Sequence, residues 1–176
     1  KVPQYDSDME NVFSTEQNAL IAVNAERYYR AMLEGGPDSW NVRDSHMEET
    51  LRRLLQFHGS TSKAIVWEHN THIGDARATD MAGEGMLNIG ELARQQFGPG
   101  EVALVGFGSY EGTVIAGKSW GDEMRIMNVP LAHKNSWEFM MHLAGPENRL
   151  LIMKDFMSDT LVNTHIGHRA IGVVYH

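Results

Sequence analysis

The stretch that decides the predicted fold is Ala64-Ile65-Val66-Trp67, followed by Glu68-His69-Asn70-Thr71-His72-Ile73-Gly74-Asp75. A short continuous apolar run of this kind is typical of a strand that is buried on both faces of a sheet. In open parallel sheets, binding sites collect beyond the carboxyl ends of the strands, which is where the polar segment 68–75 would lie. Residues 64–75 therefore predict a buried strand that leads into a functional loop.

Other segments extend this prediction to an α/β fold. A helical segment from Asn88 to Phe97, ended by Gly98, separates the first apolar run from a second one at 102–107. This order of strand, helix and strand is the pattern of a parallel crossover. Further predicted elements are a local hairpin formed by residues 113–116 and 124–129, a short helix at 136–143, and strands at 150–153 and 170–175. The predicted fold is a three-layer α/β sandwich with a mainly parallel sheet and flanking helices.

Two helices are predicted before the first strand. Ser14 begins a sequence with the layout of a capping box, and apolar residues at helical spacing follow it. The glycines and proline at 35–37 end this helix. A second helix is predicted from about Asn41 to Gly59, with its apolar residues on one face. Residues 1–13 carry little pattern and are predicted to be a lead-in segment.

Composition excludes several classes of function. The chain of 176 residues is expected to form a single domain, 1–176, and its 15 basic and 23 acidic side chains give a net charge of −8. Without a basic patch, a nucleic acid or an anionic membrane is disfavoured as a partner. The absence of cysteine excludes disulfides, thiolate nucleophiles and cysteine-ligated zinc. No apolar run approaches the roughly 20 residues of a membrane span, and no signal peptide is apparent, so a cytoplasmic protein is expected.

His69 and His72 are the strongest candidates for chemistry. Paired imidazoles can move protons and stabilise developing negative charge, which suits acyl or phosphoryl transfer. The same two side chains could instead bind a metal ion with Asp75 as a third ligand. They could also satisfy backbone groups within a tight loop. The spacing leaves these three interpretations open.

Arg43 extends the apolar face of the second helix and is a candidate for anion binding. Its planar group of donors could hold a carboxylate or an oxyanion, or it could pair with Asp44 or Glu48. The glycines at 106, 108 and 112 match no phosphate-binding motif and are interpreted as turns. The serines at 109 and 119 lack the context of a nucleophile elbow, so a serine hydrolase is not supported.

The residues from Trp67 to Arg77 resemble the Trp-x-His-Asn-x-His segment of the erythromycin esterase family, which includes relatives assigned to succinoglycan biosynthesis. Three further blocks agree with the family in order and approximate spacing. They are Arg43-Asp44 with Met47, Ser136-Trp137-Glu138 with His142 and Gly145, and Arg169 to Val173 with Tyr175. The resemblance extends from about Trp40 to the end of the chain.

This resemblance implies a hydrolase in which water attacks an ester or lactone carbonyl after a histidine in a Glu-x-x-His motif removes its proton. The chain contains no such motif. The general base is therefore expected upstream of Lys1, and the chain is expected to be a C-terminal portion that is inactive by itself. The predicted catalytic residues are His69, His72 and Arg43, and the predicted substrate-binding residues are Glu68, Asn70, Asp75 and Asp44. No cofactor is expected, although a divalent metal stays possible.

Two departures from the family bear on the substrate. Thr50 stands where many members carry Asn, and Glu68 where the esterases proper often carry Ala. These differences favour a small-molecule ester or lactone other than a macrolide. Two other classes stay open: a metal-binding protein or metallohydrolase that uses His69, His72 and Asp75, and a non-catalytic binding module. The sequence gives no oligomeric state.

Overall fold

The computed structural model describes residues 7–156, 160 and 164–175, and this part of the chain is mainly helical. The helices are α1 (Ser7–Glu34), α2 (Asp38–His58), α3 (Asn70–Ile73), α4 (Ile89–Phe97) and α5 (Trp137–Leu143). The strands are β1 (Gly112–Ala116) and β2 (Arg125–Val129). Short 3₁₀ turns lie at Ala76–Ala78, Asp80–Ala82 and Met153–Phe156.

Helices α1 and α2 form an antiparallel hairpin. Phe13 near the start of α1 stacks on Phe57 at the end of α2, with ring centroids 4.4 Å apart. Arg53 of α2 donates a hydrogen bond to Glu16 of α1 over 2.7 Å. The turn between the helices contains Gly35, whose φ of +78° is a conformation that glycine adopts without steric strain. The predicted end of the first helix at the glycines is therefore confirmed.

The prediction of a three-layer sandwich with a parallel sheet is wrong. In the described residues the sheet is a single antiparallel pair, β1 with β2, and the apolar runs at 64–67 and 102–107 belong to no strand. An extended run becomes a strand only when a neighbouring segment pairs with its backbone, and apolar composition cannot supply that neighbour. Ile65 and Trp67 are 92% and 84% exposed, so the run is not buried either.

The later predicted strands are also absent as strands. The segment 150–153 runs into the 3₁₀ turn at Met153–Phe156. Within 170–175, Val174 makes only an isolated parallel bridge to Gly117. The predicted local hairpin is confirmed, since β1 and β2 pair antiparallel from Gly112 opposite Val129 to Ala116 opposite Arg125.

The predicted capping residues mark the start of α4 and α5 but not the start of α1. For α4, Asn88 caps the amino end by accepting from the backbone N–H of Glu91, and Gly98 ends the helix, as predicted. Ser136 caps α5 in the same way. The prediction at Ser14 is wrong because α1 already includes residues 7–13, with acidic side chains in its first turn that favour the earlier helical start. Residues 1–6 of the predicted lead-in lie outside the described residues.

The chain divides into two compact units, Lys1–Gly106 and Phe107–His176. The buried apolar residues of the first unit are Ala31, Ala76, Ile89 and Ala93, and those of the second are Ala116, Val129 and Ala132. The expectation of a single domain stays a prediction. Across the described part of the chain, no helix combines the length and the apolar character needed to cross a membrane.

Candidate active site

One face of α2 carries three of the side chains that form the candidate site. Trp40, Arg43 and Asp44 lie three and four residues apart, which places them on the same side of a helix. The indole N–H of Trp40 donates to the carbonyl oxygen of Leu87 over 2.7 Å. This bond fixes the indole ring against the segment that precedes α4.

Buried Asn88 holds the loop that contains the two histidines. Its Oδ1 accepts from the backbone N–H of Glu91 over 2.9 Å, and its Nδ2 donates to the carbonyl oxygen of Thr71 over 2.9 Å. Gly90 lets α4 approach this loop closely, because a Cβ atom there would collide with the carbonyl oxygens of Ile73 and Gly74. The loop is therefore anchored to the amino end of α4.

Asp44 and His72 form a buried carboxylate–imidazole pair. The two carboxylate oxygens lie 3.0 and 2.9 Å from Nδ1 of His72, and Asp44 is fully buried. Asp44 also accepts a hydrogen bond from the backbone N–H of Ile89 over 3.2 Å. Because an ionised carboxylate can only accept, we infer that Nδ1 carries the proton and that Nε2 accepts the hydrogen bond from Nη2 of Arg43.

Arg43 and Trp40 surround the other side of the imidazole ring. Nη2 of Arg43 lies 3.3 Å from Nε2 of His72. The ring of His72 stacks on Trp40 at a centroid distance of 4.4 Å and an interplanar angle of 4°. The guanidinium carbon of Arg43 lies 4.6 Å from the indole centroid. Trp40 therefore aligns both polar groups by stacking and by a cation–π contact.

Arg43 forms an ion pair with Asp44 that contains no direct hydrogen bond. Its Nε lies 3.8 Å from Asp44, which is too long for a hydrogen bond, and Nε is buried without a hydrogen-bond partner among the described residues. Of the interpretations open from the sequence, pairing with Asp44 is therefore observed, and anion binding by Arg43 stays a prediction.

Glu68 is a second carboxyl group beside His72. Its Oε2 lies 4.0 Å from Nδ1, and this oxygen is buried without a hydrogen-bond partner in the described part of the chain. Burial raises the pKa of Glu68, and the negative charge of Asp44 adds to the rise, whereas His72 and Arg43 oppose it. Glu68 therefore differs chemically from Asp44, whose oxygens are all engaged as acceptors.

The remaining predicted residues do not join this cluster. His69 caps α3, with Nδ1 3.3 Å from the backbone N–H of Thr71. Asp75 accepts from Arg77 over 2.7 Å and pairs with Arg94 over 3.4 Å, and the hydrogen bond from Arg77 lowers the pKa of its carboxyl group. Asn70 is the first residue of α3. Within residues 7–156, 160 and 164–175, no three His, Asp or Glu side chains converge as metal ligands.

Two grooves of the described residues lie elsewhere. A groove of about 630 Å³ is lined by α1 and α2 and includes neither Arg43 nor His72. A second groove, of about 460 Å³, lies in the second unit beside His168 and Arg169. The candidate site is therefore identified by its hydrogen bonds and stacking rather than by a large cavity.

The second unit contains another carboxylate–imidazole pair. Oε1 of Glu138 lies 2.8 Å from Nδ1 of His168 and accepts from the backbone N–H of Arg169 over 2.8 Å. A Cβ atom on Gly108 would lie 2.9 Å from Glu138, so glycine is needed where this loop passes the pair. Burial alone would raise the pKa of Glu138. The pKa is nevertheless below its usual range, because the carboxylate accepts hydrogen bonds from the backbone N–H groups of Arg169 and Glu138 and is also stabilised by His168 and Ser136.

Comparison with known proteins identifies the family of the chain. The erythromycin esterase family model matches residues 2–176. Since the match covers nearly the whole chain, this chain belongs to the erythromycin esterase family, which associates it with hydrolases. The resemblance identified from the sequence is confirmed. No solved structure matches the chain significantly.

Sequence reasoning missed two features of these sites. Trp40 supports both His72 and Arg43, and the signal for it was its position one helical turn before Arg43. The pairing of Glu138 with His168 was missed because the two residues are 30 positions apart in the chain. No local pattern connects residues at that separation.

Proposed function

We propose that this chain forms the carbonyl-binding part of an ester hydrolase site, in which water attacks a carboxylic ester or a lactone. The observation that supports the proposal is the convergence of Nη2 of Arg43 and Nε2 of His72, which are 3.3 Å apart above the Trp40 ring. Two nitrogen atoms at this separation can both approach one substrate oxygen atom. Such preorganised donors stabilise the oxyanion of a tetrahedral intermediate.

Each residue has a distinct role in this proposal. Arg43 is permanently charged and binds the carbonyl oxygen throughout the reaction. His72 donates from Nε2 once this atom is protonated, and buried Asp44 holds Nδ1 so that Nε2 keeps its direction. Trp40 orients the imidazole and guanidinium groups, because both pack against its ring. His69 shapes the loop as the cap of α3.

The proton of the attacking water is removed by a histidine upstream of Lys1, as the family resemblance implies. The substrate is a small-molecule ester or lactone other than a macrolide. Glu68 supports this part of the proposal, because it places a carboxyl group 4.0 Å from His72 where the esterases proper often carry Ala. Thr50 bears less on specificity, since its hydroxyl donates to the carbonyl oxygen of His46 within α2.

A metallohydrolase that uses His69, His72 and Asp75 is less well supported. Asp75 forms ion pairs with two arginines, and Nδ1 of His72 is hydrogen-bonded to Asp44. We expect turnover to be insensitive to EDTA and the purified protein to hold less than stoichiometric metal by elemental analysis. One equivalent of zinc together with chelator-sensitive activity would contradict this assignment.

The proposal is tested by comparing two forms of the protein, the 176-residue chain and a form extended upstream of Lys1. Both are assayed against p-nitrophenyl esters, alkyl esters, lactones and a macrolide. We expect turnover of simple esters or lactones by the extended form only, because a positioned base contributes about 10² to 10⁴ in rate. Robust turnover by the 176-residue chain would instead assign proton removal to His72. Absence of hydrolysis by both forms would contradict the proposed function.

A further inference from the structure

Two carboxyl groups flank the imidazole of His72, and their environments differ. The oxygens of Asp44 accept from Nδ1 of His72 and from the backbone N–H of Ile89. Oε2 of Glu68 is also shielded from solvent, yet it makes no hydrogen bond within the described residues and lies 4.0 Å from Nδ1. Both oxygens of Asp44 are thus engaged as acceptors, whereas Oε2 of Glu68 is buried without a hydrogen bond, which is unfavourable for a charged carboxylate.

The surroundings of Glu68 favour its protonated form. The charged or titratable groups that face Glu68 are Asp44 and Arg43 on α2 and His72 on α3. Burial and the charge of Asp44 raise the pKa of Glu68, and His72 and Arg43 offset only part of that rise. A carboxyl group whose pKa is raised by burial can serve as an acid within a site.

We propose that Glu68 is the proton donor to the departing alcohol, an inference that rests on the ester hydrolase function proposed above. Glu68 lies four residues before His72, and its Oε2 is 4.0 Å from Nδ1 of the imidazole whose Nε2 faces Arg43. Its side chain is 23% exposed, which leaves it accessible from the solvent side. Asp44, with no exposed surface, keeps its positioning role.

The proton transfer balances as follows. When the tetrahedral intermediate collapses, its C–O bond to the alcohol breaks and the electron pair moves to the alkoxide oxygen. That oxygen takes the proton from the Glu68 carboxyl group, which becomes a carboxylate. Glu68 is reprotonated through solvent by the proton that the general base took from water. The sum is one ester and one water converted to one carboxylic acid and one alcohol.

The test compares Glu68→Gln with the wild type in the extended form, on two esters that share one acyl group. A p-nitrophenolate departs as a stable anion, whereas an alkyl alkoxide needs a proton. We expect kcat/KM for the alkyl ester to fall by about 10² or more, while the p-nitrophenyl ester loses only a few-fold. Glu48→Gln is the matched control, because burial also raises the pKa of Glu48 and it lies on α2 one turn after Asp44.

Equal losses on both esters, or no loss on either, would overturn the role of Glu68 while leaving the hydrolase function standing.

A second measurement is independent of turnover. With ¹³C-labelled glutamate carboxyl groups, the NMR signal of Glu68 is the one that is absent from Glu68→Gln. We expect this signal to titrate above the ordinary glutamate pKa of about 4.3. Titration of Glu68 within or below that range would overturn the proposal even in a form that hydrolyses no ester. If wild type cleaves neither ester but Glu68 titrates high, the proposed function fails instead.

Discussion

The molecule contains two carboxylate–imidazole pairs of similar local geometry, one in each unit. Asp44 binds Nδ1 of His72 at 2.9 Å, and Glu138 binds Nδ1 of His168 at 2.8 Å. Both carboxylates are almost completely buried, with 0% and 2% of their side chains exposed. Each also accepts a backbone N–H from another segment. The pairing itself therefore does not distinguish a reactive site from a structural one.

The neighbours of the two imidazoles make the difference. His72 has a guanidinium group at Nε2 and an indole ring beneath it, from Arg43 and Trp40. The Arg169 guanidinium group, which follows His168 in sequence, lies 3.4 Å from the backbone carbonyls of Ser109 and Tyr110. The proposed chemistry belongs to the first pair, and the contacts of the second pair join the segment around His168 to α5.

The largest expected effect comes from Asp44→Asn, measured in the extended form. An amide can present its NH₂ group to Nδ1 and so favour the wrong tautomer of His72, and we expect kcat/KM to fall by about 10² or more. Glu138→Gln changes the second pair in the same way and should leave kcat/KM per folded molecule unchanged. Similar losses in both variants would contradict the division of roles.

Arg43→Lys should have the next largest effect. Lysine keeps the charge but not the planar set of donors, so we expect kcat/KM to fall by about 10- to 100-fold with little change in unfolding free energy. Arg77→Lys is the control, because Arg77 pairs with Asp75 away from the His72 cluster. If the melting temperature of Arg43→Lys falls sharply while turnover per folded molecule stays at the wild-type value, Arg43 is only structural.

The smallest effect concerns stability and pH. The pKa of Glu138 is lowered in the folded chain, so its ionised form stabilises the fold above the unfolded value of about 4.3. That stabilisation is lost as the pH falls through the lower folded value. We expect Glu138→Gln to lower the unfolding free energy by about 1–3 kcal/mol at neutral pH, and the difference from wild type to shrink below about pH 4 in urea titrations. A difference that stays constant with pH would contradict this role.

Local signals predicted the helices far better than the strands. The end of α2 at Gly59 and the boundaries of α4 depend on residues next to the helix, and these predictions are confirmed. The runs at 64–67 and 102–107 resembled buried strands by composition. A strand depends on hydrogen bonds to a partner distant in the sequence, and no pattern within the run can supply that information.

The candidate site shows the same limit. Arg43, Asp44 and His72 were identified from the sequence, and the structure brings them together across 28 positions of the chain. The alternative metal cluster of His69, His72 and Asp75 is not found among the described residues, where Asp75 pairs with Arg77 and Arg94. Residue type and short spacing therefore identified the candidate groups, whereas their partners required the tertiary structure.

The most direct test of the central claim is a parallel measurement of kcat/KM for His72→Gln and His168→Gln in the extended form, corrected for the folded fraction. We predict that the His72 variant loses roughly 10- to 10³-fold, in line with the loss of a preorganised donor, and that the His168 variant stays near the wild-type value. A large loss in the His168 variant with near-normal turnover in the His72 variant would contradict the assignment of chemistry to the pair on α2 and the histidine loop.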